Sequence, residues 1–219
     1  MTPLIVTGTD TGVGKTIVTA AVAAAARAVG LDVAVLKPAQ SGGDDDAATV
    51  TRLTGATDAY ALVSYPDALA PLAAARASGA PPLPMTDVIK AVYSSPADVL
   101  LIEGAGGLLV QMGERGWNIA DLCSALQASA IVVARAGLGT LNHTALTLEA
   151  LDARGIGAHV VVGAMPREPE MVHETNLASL AEMSGGLAGV VPEGAGSLSR
   201  AEFTAAAPSW LTGALYGTL

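Results

Sequence analysis

A lysine and a threonine that follow a glycine-rich turn are the first residues whose types and spacing could do chemistry. The stretch Gly8-Thr9-Asp10-Thr11-Gly12-Val13-Gly14-Lys15-Thr16 lies between a short apolar run, Leu4 to Thr7, and a helix-compatible stretch that starts near Lys15. Backbone N–H groups in such a turn converge on phosphate oxygens, and the N-terminus of the following helix adds favourable partial charge. Asp10, Thr11, Gly12, Val13 and Gly14 are therefore candidate contacts to a nucleotide. Lys15 would reach the β- and γ-phosphates, and the Thr16 hydroxyl would ligate Mg²⁺. The first glycine is Gly8, and Thr9 stands where the common pattern has glycine, so this loop is one residue longer.

Two further charged residues end apolar runs of their own. Glu103 closes Asp98-Val-Leu-Leu-Ile-Glu103 and opens Glu103-Gly104-Ala105-Gly106-Gly107. In an open parallel sheet, ligands sit beyond the carboxyl ends of the strands, which puts this carboxylate beside the turn and within reach of Mg²⁺ or its water. The glycines after it allow a substrate to approach the backbone. Lys37 ends Asp32-Val-Ala-Val-Leu-Lys37 and starts Lys37-Pro38-Ala39-Gln40-Ser41-Gly42-Gly43, so its ammonium would face the same crevice. The chain has only three lysines, Lys15, Lys37 and Lys90, so one closing a glycine-rich turn and another ending an apolar run are notable. Asp44-Asp45-Asp46 follows, and any member of that run could be merely solvated or could supply a second metal carboxylate.

Positioning these groups requires strands that end together. Leu4 to Thr7, Asp32 to Lys37, Asp98 to Glu103, Ala130 to Ala134, Ala158 to Gly163 and Leu187 to Val191 all read as apolar strands. Helical patterns are predicted near 15–29, 86–94, 119–128, 141–153 and 170–184. Pro38 is expected to stop the second strand. The Pro- and Ala-rich segment from Tyr65 to Pro84 is expected to hold a helix between loops. Alternating strands and helices with continuously apolar strands imply an α/β fold of the P-loop NTPase type, a mostly parallel sheet with helices on both faces. No linker divides the 219 residues, so residues 1–219 are expected to form a single domain.

Composition narrows the function further. Hydrophobic residues make up 51% and aromatic residues 3%, so the core must be built from Ala, Val, Leu and Ile. A formal net charge of −9 repels nucleic acid and anionic membranes, and neither is expected as a partner. Cys123 is the lone cysteine, which excludes an internal disulfide and a thiolate metal cluster. His143, His159 and His173 lack metal-ligand spacing. Residues Met1 to Val6 show no basic leader, no apolar run is long enough to span a bilayer, and a cytoplasmic location is expected.

Taken together, Gly8 to Thr16 with its extra residue, Lys37-Pro38 with Ser41-Gly42, Glu103-Gly104-Ala105-Gly106-Gly107, and Gly137-Leu138-Gly139-Thr140-Leu141-Asn142-His143 resemble the dethiobiotin synthetase family. The resemblance covers about the first two-thirds of the chain. It implies an ATP- and Mg²⁺-dependent ligase that joins 7,8-diaminopelargonic acid and CO₂ into dethiobiotin, through a carbamate and a carbamic-phosphoric anhydride. It assigns Thr16, Asp46 and Glu103 to the metal, and Lys15 and Lys37 to charge on the phosphates and the carbamate. Thr11, Ser41 and the 104–107 stretch fall to substrate contacts. Leu138, Leu141 and Asn142 would complete a neighbouring subunit's substrate site, which implies a homodimer; within one subunit, Asn142 could instead cap the helix starting near Leu141. Gly163 stands where the family pattern has an asparagine that reads the adenine edge, so other nucleoside triphosphates, CTP among them, are expected to substitute. The alternative is a dimeric P-loop switch ATPase of the partitioning class, but its early P-loop lysine is missing from Thr9-Asp10-Thr11-Gly12.

Overall fold

A computed structural model describes residues 3–216 of the chain. Met1 and Thr2 of the N-terminal run, and the last three positions of the expected domain, lie outside the described residues. Seven parallel strands form one sheet in the order β3-β2-β4-β1-β5-β6-β7. They are β1 (Leu4–Gly8), β2 (Val33–Ser41), β3 (Ala59–Tyr65), β4 (Val99–Glu103), β5 (Ala130–Ala134), β6 (Ala158–Met165) and β7 (Gly189–Pro192). The helices are α1 (Lys15–Ala28), α2 (Asp46–Thr54), α3 (Pro71–Ser78), α4 (Met85–Ser94), α5 (Ile119–Leu126), α6 (Thr140–Asp152), α7 (Met171–Ser184) and α8 (Arg200–Ala206).

Successive strand residues point to opposite sheet faces, and both faces are covered. Ile5, Leu36, Ile102, Val132 and Val160 pack into one core with Val88 and Val92 of α4, Leu122 of α5 and Leu151 of α6. Val6, Val35, Leu101, Val133 and Val161 face α1, Val50 and Leu53 of α2, and Phe203 of α8. Every residue of α1 from Val18 to Ala26 is buried. Alanine-rich surfaces let this helix lie under other elements on several sides, which larger side chains would prevent. Phe203, the chain's single phenylalanine, closes that face edge-on against Trp210, with ring centroids 5.4 Å apart.

Two features of these elements bear on the site. The second strand continues through Pro38 to Ser41, whereas proline was expected to end it. Pairing with β4 stops at Leu36↔Ile102, and from Lys37 onward β2 pairs with β3 alone. One flank of the strand therefore no longer needs the donor that proline lacks. The Asp44–Asp46 run is also more than solvated charge. Asp45 caps α2, accepting from Ala48 N at 2.8 Å, and thereby sets Asp46 as the first residue of the helix. No helix among the described residues is long and apolar enough to cross a membrane.

Candidate active site

The turn between β1 and α1 has the backbone that its glycines predict. Gly12 and Gly14 both have positive φ, +72° and +97°, and Gly14 stands at the N-cap of α1. Gly14 also meets a second glycine. A methyl group on Gly14 would come within 2.8 Å of the Gly163 carbonyl oxygen, and one on Gly163 would fall 2.0 Å from the Val13 oxygen. The turn and β6 thus touch backbone to backbone. Gly163 is buried in that contact and turns no side chain toward a nucleotide base.

Lys15 is buried, and its Nζ donates to the Asp10 carbonyl oxygen at 2.9 Å. Burial, followed by the charge of Lys37, lowers its pKa to about 8. Glu103, Asp46 and Asp10 pull the other way without cancelling that cost. The result is an ammonium group held in a phosphate-binding turn without a carboxylate of its own, a site prepared for an anion.

Lys37, at 4% exposure, is buried rather than decorative. Its Nζ lies 2.6 Å from Asp46 Oδ2 and 2.8 Å from Glu103 Oε1, and it donates to the Gly104 oxygen at 3.1 Å. Those three partners use all three of its protons. Burial works against the charge, but the two carboxylates outweigh it and hold the Lys37 pKa above the ordinary lysine value. The Thr16 hydroxyl lies 2.9 Å from both Asp46 Oδ1 and Glu103 Oε1. One hydroxyl and two carboxylates therefore meet at one point, with an ammonium between the acids. This donor set suits Mg²⁺, which takes oxygen ligands, keeps several waters and is commonly bound through one or two carboxylates.

These groups line a cavity of about 730 Å³ together with Thr11, Gly12, Gly14, Ser41, Ala105 and Gly106. The Ser41 hydroxyl is buried there without a hydrogen-bond partner among the described residues. Leu69, Ala70, Pro71 and Val110 form its apolar wall, a surface suited to an alkyl chain. Gly104 and Gly107 lie against β1 and the turn instead of lining the cavity: Gly104 donates to the Val6 oxygen, and a methyl on Gly107 would lie 3.5 Å from the Gly8 oxygen. Of the three acids in the 44–46 run, Asp46 alone joins the cluster. Asp45 is the helix cap, and Asp44 lines the cavity without contacting Thr16 or Lys37.

Leu138, Leu141 and Asn142 are not brought into this cavity. Leu138 is 89% exposed, Asn142 is exposed and Leu141 is partly so. Asn142 does not cap its helix. Gly139 occupies the N-cap of α6, and Asn142 stands two residues beyond the helix start.

One contact in the turn was missed by the sequence reading: Arg135 Nη2 binds Asp10 Oδ2. The Thr11 N–H first, and Arg135 after the opposing effect of burial, hold the Asp10 carboxyl below the usual range. The signal that could have found Arg135 is the one that found Lys37, a cation placed directly after an apolar strand.

Comparison with known proteins identifies the chain's relatives. A family model described as an AAA domain matches residues 2–197. The chain is 52% identical to the ATP-dependent dethiobiotin synthetase BioD of Rhodococcus jostii, covering 96% of this chain and 94% of that one. It is 50% identical to the protein of the same name from Mycobacterium avium, covering 94% and 93%. Among solved structures, a ParA family ATPase from Chlorobium tepidum superposes with a TM-score of 0.57 at 11% identity, covering 93% of this chain and 91% of that one. The MinC:MinD cell division protein complex of Aquifex aeolicus gives a TM-score of 0.56 at 15% identity, with 94% and 86% covered. At such low identity the two structures establish the P-loop α/β fold alone. The near-full-length identity to the named synthetases establishes more: this chain belongs to the ATP-dependent dethiobiotin synthetase family.

Proposed function

We propose that one domain, working in the cytoplasm, carries out the whole dethiobiotin synthetase reaction. The observation that carries this reading is the cluster of Thr16, Lys37, Asp46 and Glu103, joined at 2.6–2.9 Å beside Lys15 and under an apolar wall. One amine of 7,8-diaminopelargonic acid adds to CO₂ and loses a proton, giving a carbamate. A carbamate oxygen attacks the γ-phosphorus, the bond to the β-phosphate oxygen breaks, and the nucleoside diphosphate leaves. The second amine then attacks the carbamoyl carbon, the bond from that carbon to the phosphoryl-bearing oxygen breaks so that phosphate leaves, and the amine gives up a proton as the five-membered ureido ring closes. No protein nucleophile is needed, because phosphoryl transfer depends on alignment and charge stabilisation.

Lys15 faces the β- and γ-phosphates, whose charge relieves the cost of keeping its ammonium buried. Lys37 turns from Asp46 and Glu103 to the carbamate and the transferring phosphoryl group. Thr16, Asp46 and Glu103 would hold Mg²⁺, which would supply charge neutralisation on the phosphate oxygens. Backbone groups of residues 10–14 cradle the phosphates, while Thr11, Ser41 and residues 104–107 orient the diamine. Holding both nitrogens beside one carbon favours ring closure. Labelled bicarbonate tests the route. With ¹⁸O-bicarbonate, the account expects label in the released phosphate; phosphate carrying no label beyond the water background would contradict attack by a carbamate oxygen.

Base selectivity should be loose, because the position of Gly163 contributes backbone alone. Losing a recognition pair relaxes discrimination, so CTP should support turnover with kcat/KM within about tenfold of ATP. Competition between the two nucleotides measures this, and a preference for ATP above about a hundredfold would show that another group reads the base.

A homodimer is supported by the exposed Leu138 and by Leu146, which is 58% exposed on the same helix as Asn142. In a two-fold dimer, Leu138, Leu141 and Asn142 would cover the partner's substrate site. Mixing Lys37→Ala with a bulky Asn142 variant, each inactive alone, should return about a quarter of wild-type activity. No recovery despite demonstrated subunit exchange would place Asn142 outside a shared site. The switch-ATPase alternative loses ground on identity, 11–15% for those two structures against about half for the synthetases.

A further inference from the structure

Asp10 is the only acid in the turn from Gly8 to Thr16, where negative charge opposes a polyanionic ligand. Its three oxygens are all engaged. Oδ1 accepts from the Thr11 N–H at 2.7 Å, the backbone oxygen accepts from Lys15 Nζ at 2.9 Å, and Oδ2 accepts from Arg135. Arg135 directly follows β5, and the turn is tied to the same strand end, since Thr9 N donates to the Val133 oxygen at 3.0 Å. Both side chains of the ion pair are about half exposed, at 47% and 48%. Such a pair contributes little to folding, so its importance lies in where it puts charge.

We propose that Arg135 is a positioning residue for the nucleotide. By holding Asp10 Oδ2 it cancels the turn's one negative charge and keeps the Asp10 carbonyl under Lys15, so that the turn meets the triphosphate with net positive charge. The pair does not form part of the cluster assigned to the metal and the carbamate, and Arg135 acts through Asp10 alone. This inference rests on the nucleotide-binding part of the proposed function and not on the identity of the phosphoryl acceptor.

The test is a double-mutant cycle on the full chain. It uses direct calorimetric binding of a non-hydrolysable ATP analogue with Mg²⁺, alongside kcat and nucleotide KM. Arg135→Ala should weaken nucleotide binding about tenfold and raise KM in step, the size expected for one uncompensated charge near the phosphates. Turnover at saturation should stay within about twofold, and Arg135→Lys should recover most of the loss. Asp10→Asn keeps an acceptor for the Thr11 N–H but removes the charge. In that background Arg135→Ala should change affinity by less than about twofold. An equal loss in both backgrounds would mean that Arg135 acts on the nucleotide itself and would overturn the proposal. So would unchanged affinity in Arg135→Ala, or a collapse of kcat at unchanged affinity. Arg135→Gln, which preserves most of the side chain, provides the same comparison if the alanine variant folds poorly. Normal cycle behaviour in a chain that releases no phosphate with the diamine would sink the synthetase reading and leave this inference standing.

Discussion

Replacing Lys37 by methionine is expected to do two opposite things: reduce turnover about a hundredfold or more, and tighten divalent-cation binding in the nucleotide-free protein. The first effect follows from removing a buried positive charge where negative charge develops. The second follows from the contacts of the ammonium group. Lys37 spends its three protons on Asp46, Glu103 and Gly104, so it has none for a substrate until those contacts change. Both carboxylates are also the oxygens assigned to Mg²⁺, so lysine and metal compete for them. Methionine keeps the length of the side chain and leaves Asp46 and Glu103 as an uncompensated acid pair, which a divalent cation relieves. Electron paramagnetic resonance with Mn²⁺ as the probe should show affinity about tenfold higher in Lys37→Met. Unchanged or weaker Mn²⁺ binding would show that lysine and metal do not share those oxygens.

Lys15→Ala is expected to abolish measurable turnover, with a loss of at least about a hundredfold, and to weaken the nucleotide as well. Lys15 differs from Lys37 in having no carboxylate partner among the described residues. Its single hydrogen bond is to the Asp10 carbonyl, and burial together with the Lys37 charge lowers its pKa to about 8. Its charge is thus costly without an anion and is stabilised by one, so its contribution appears when phosphate arrives and grows as charge builds during transfer. The variants should separate in binding experiments. Lys15→Ala should lose nucleotide affinity, whereas Lys37→Met should bind nucleotide nearly as the parent does. Equal loss of nucleotide affinity in both would contradict the division of labour between the two lysines.

Much of this site was legible in the sequence because its residues close apolar runs. Lys37 and Glu103 each terminate an apolar run, and a parallel sheet gathers such ends along one edge. The fold class followed from the same runs. What the sequence hid was pairing across distance. Lys37 meets Glu103 across 66 residues, and Arg135 meets Asp10 across 125, contacts that only the strand order β2-β4-β1-β5 creates. The choice among Asp44, Asp45 and Asp46 was equally hidden, because it depends on which of them caps α2.

The elements that went unread are the edge strand of the sheet and two short helices that bury few residues. The strand Ala59–Tyr65 is only half-buried over most of its length, and α2 buries just Val50, Leu53 and Thr54, so neither has a strong periodic signature. The short helix α8 was missed for the same reason, since it buries Phe203 alone. Pro38 misled in the other direction. Proline ends a strand that is paired on both sides, but β2 has already lost β4 when it reaches that residue.

Phosphate release, followed continuously while diaminopelargonate, bicarbonate, Mg²⁺ and nucleoside triphosphate are each omitted in turn, tests the central claim most directly. The account predicts that every omission stops release, and that in the complete mixture one phosphate appears for each dethiobiotin formed. Phosphate released at the same rate without the diamine would contradict it, leaving a nucleotide-binding turn whose chemistry is spent on something else.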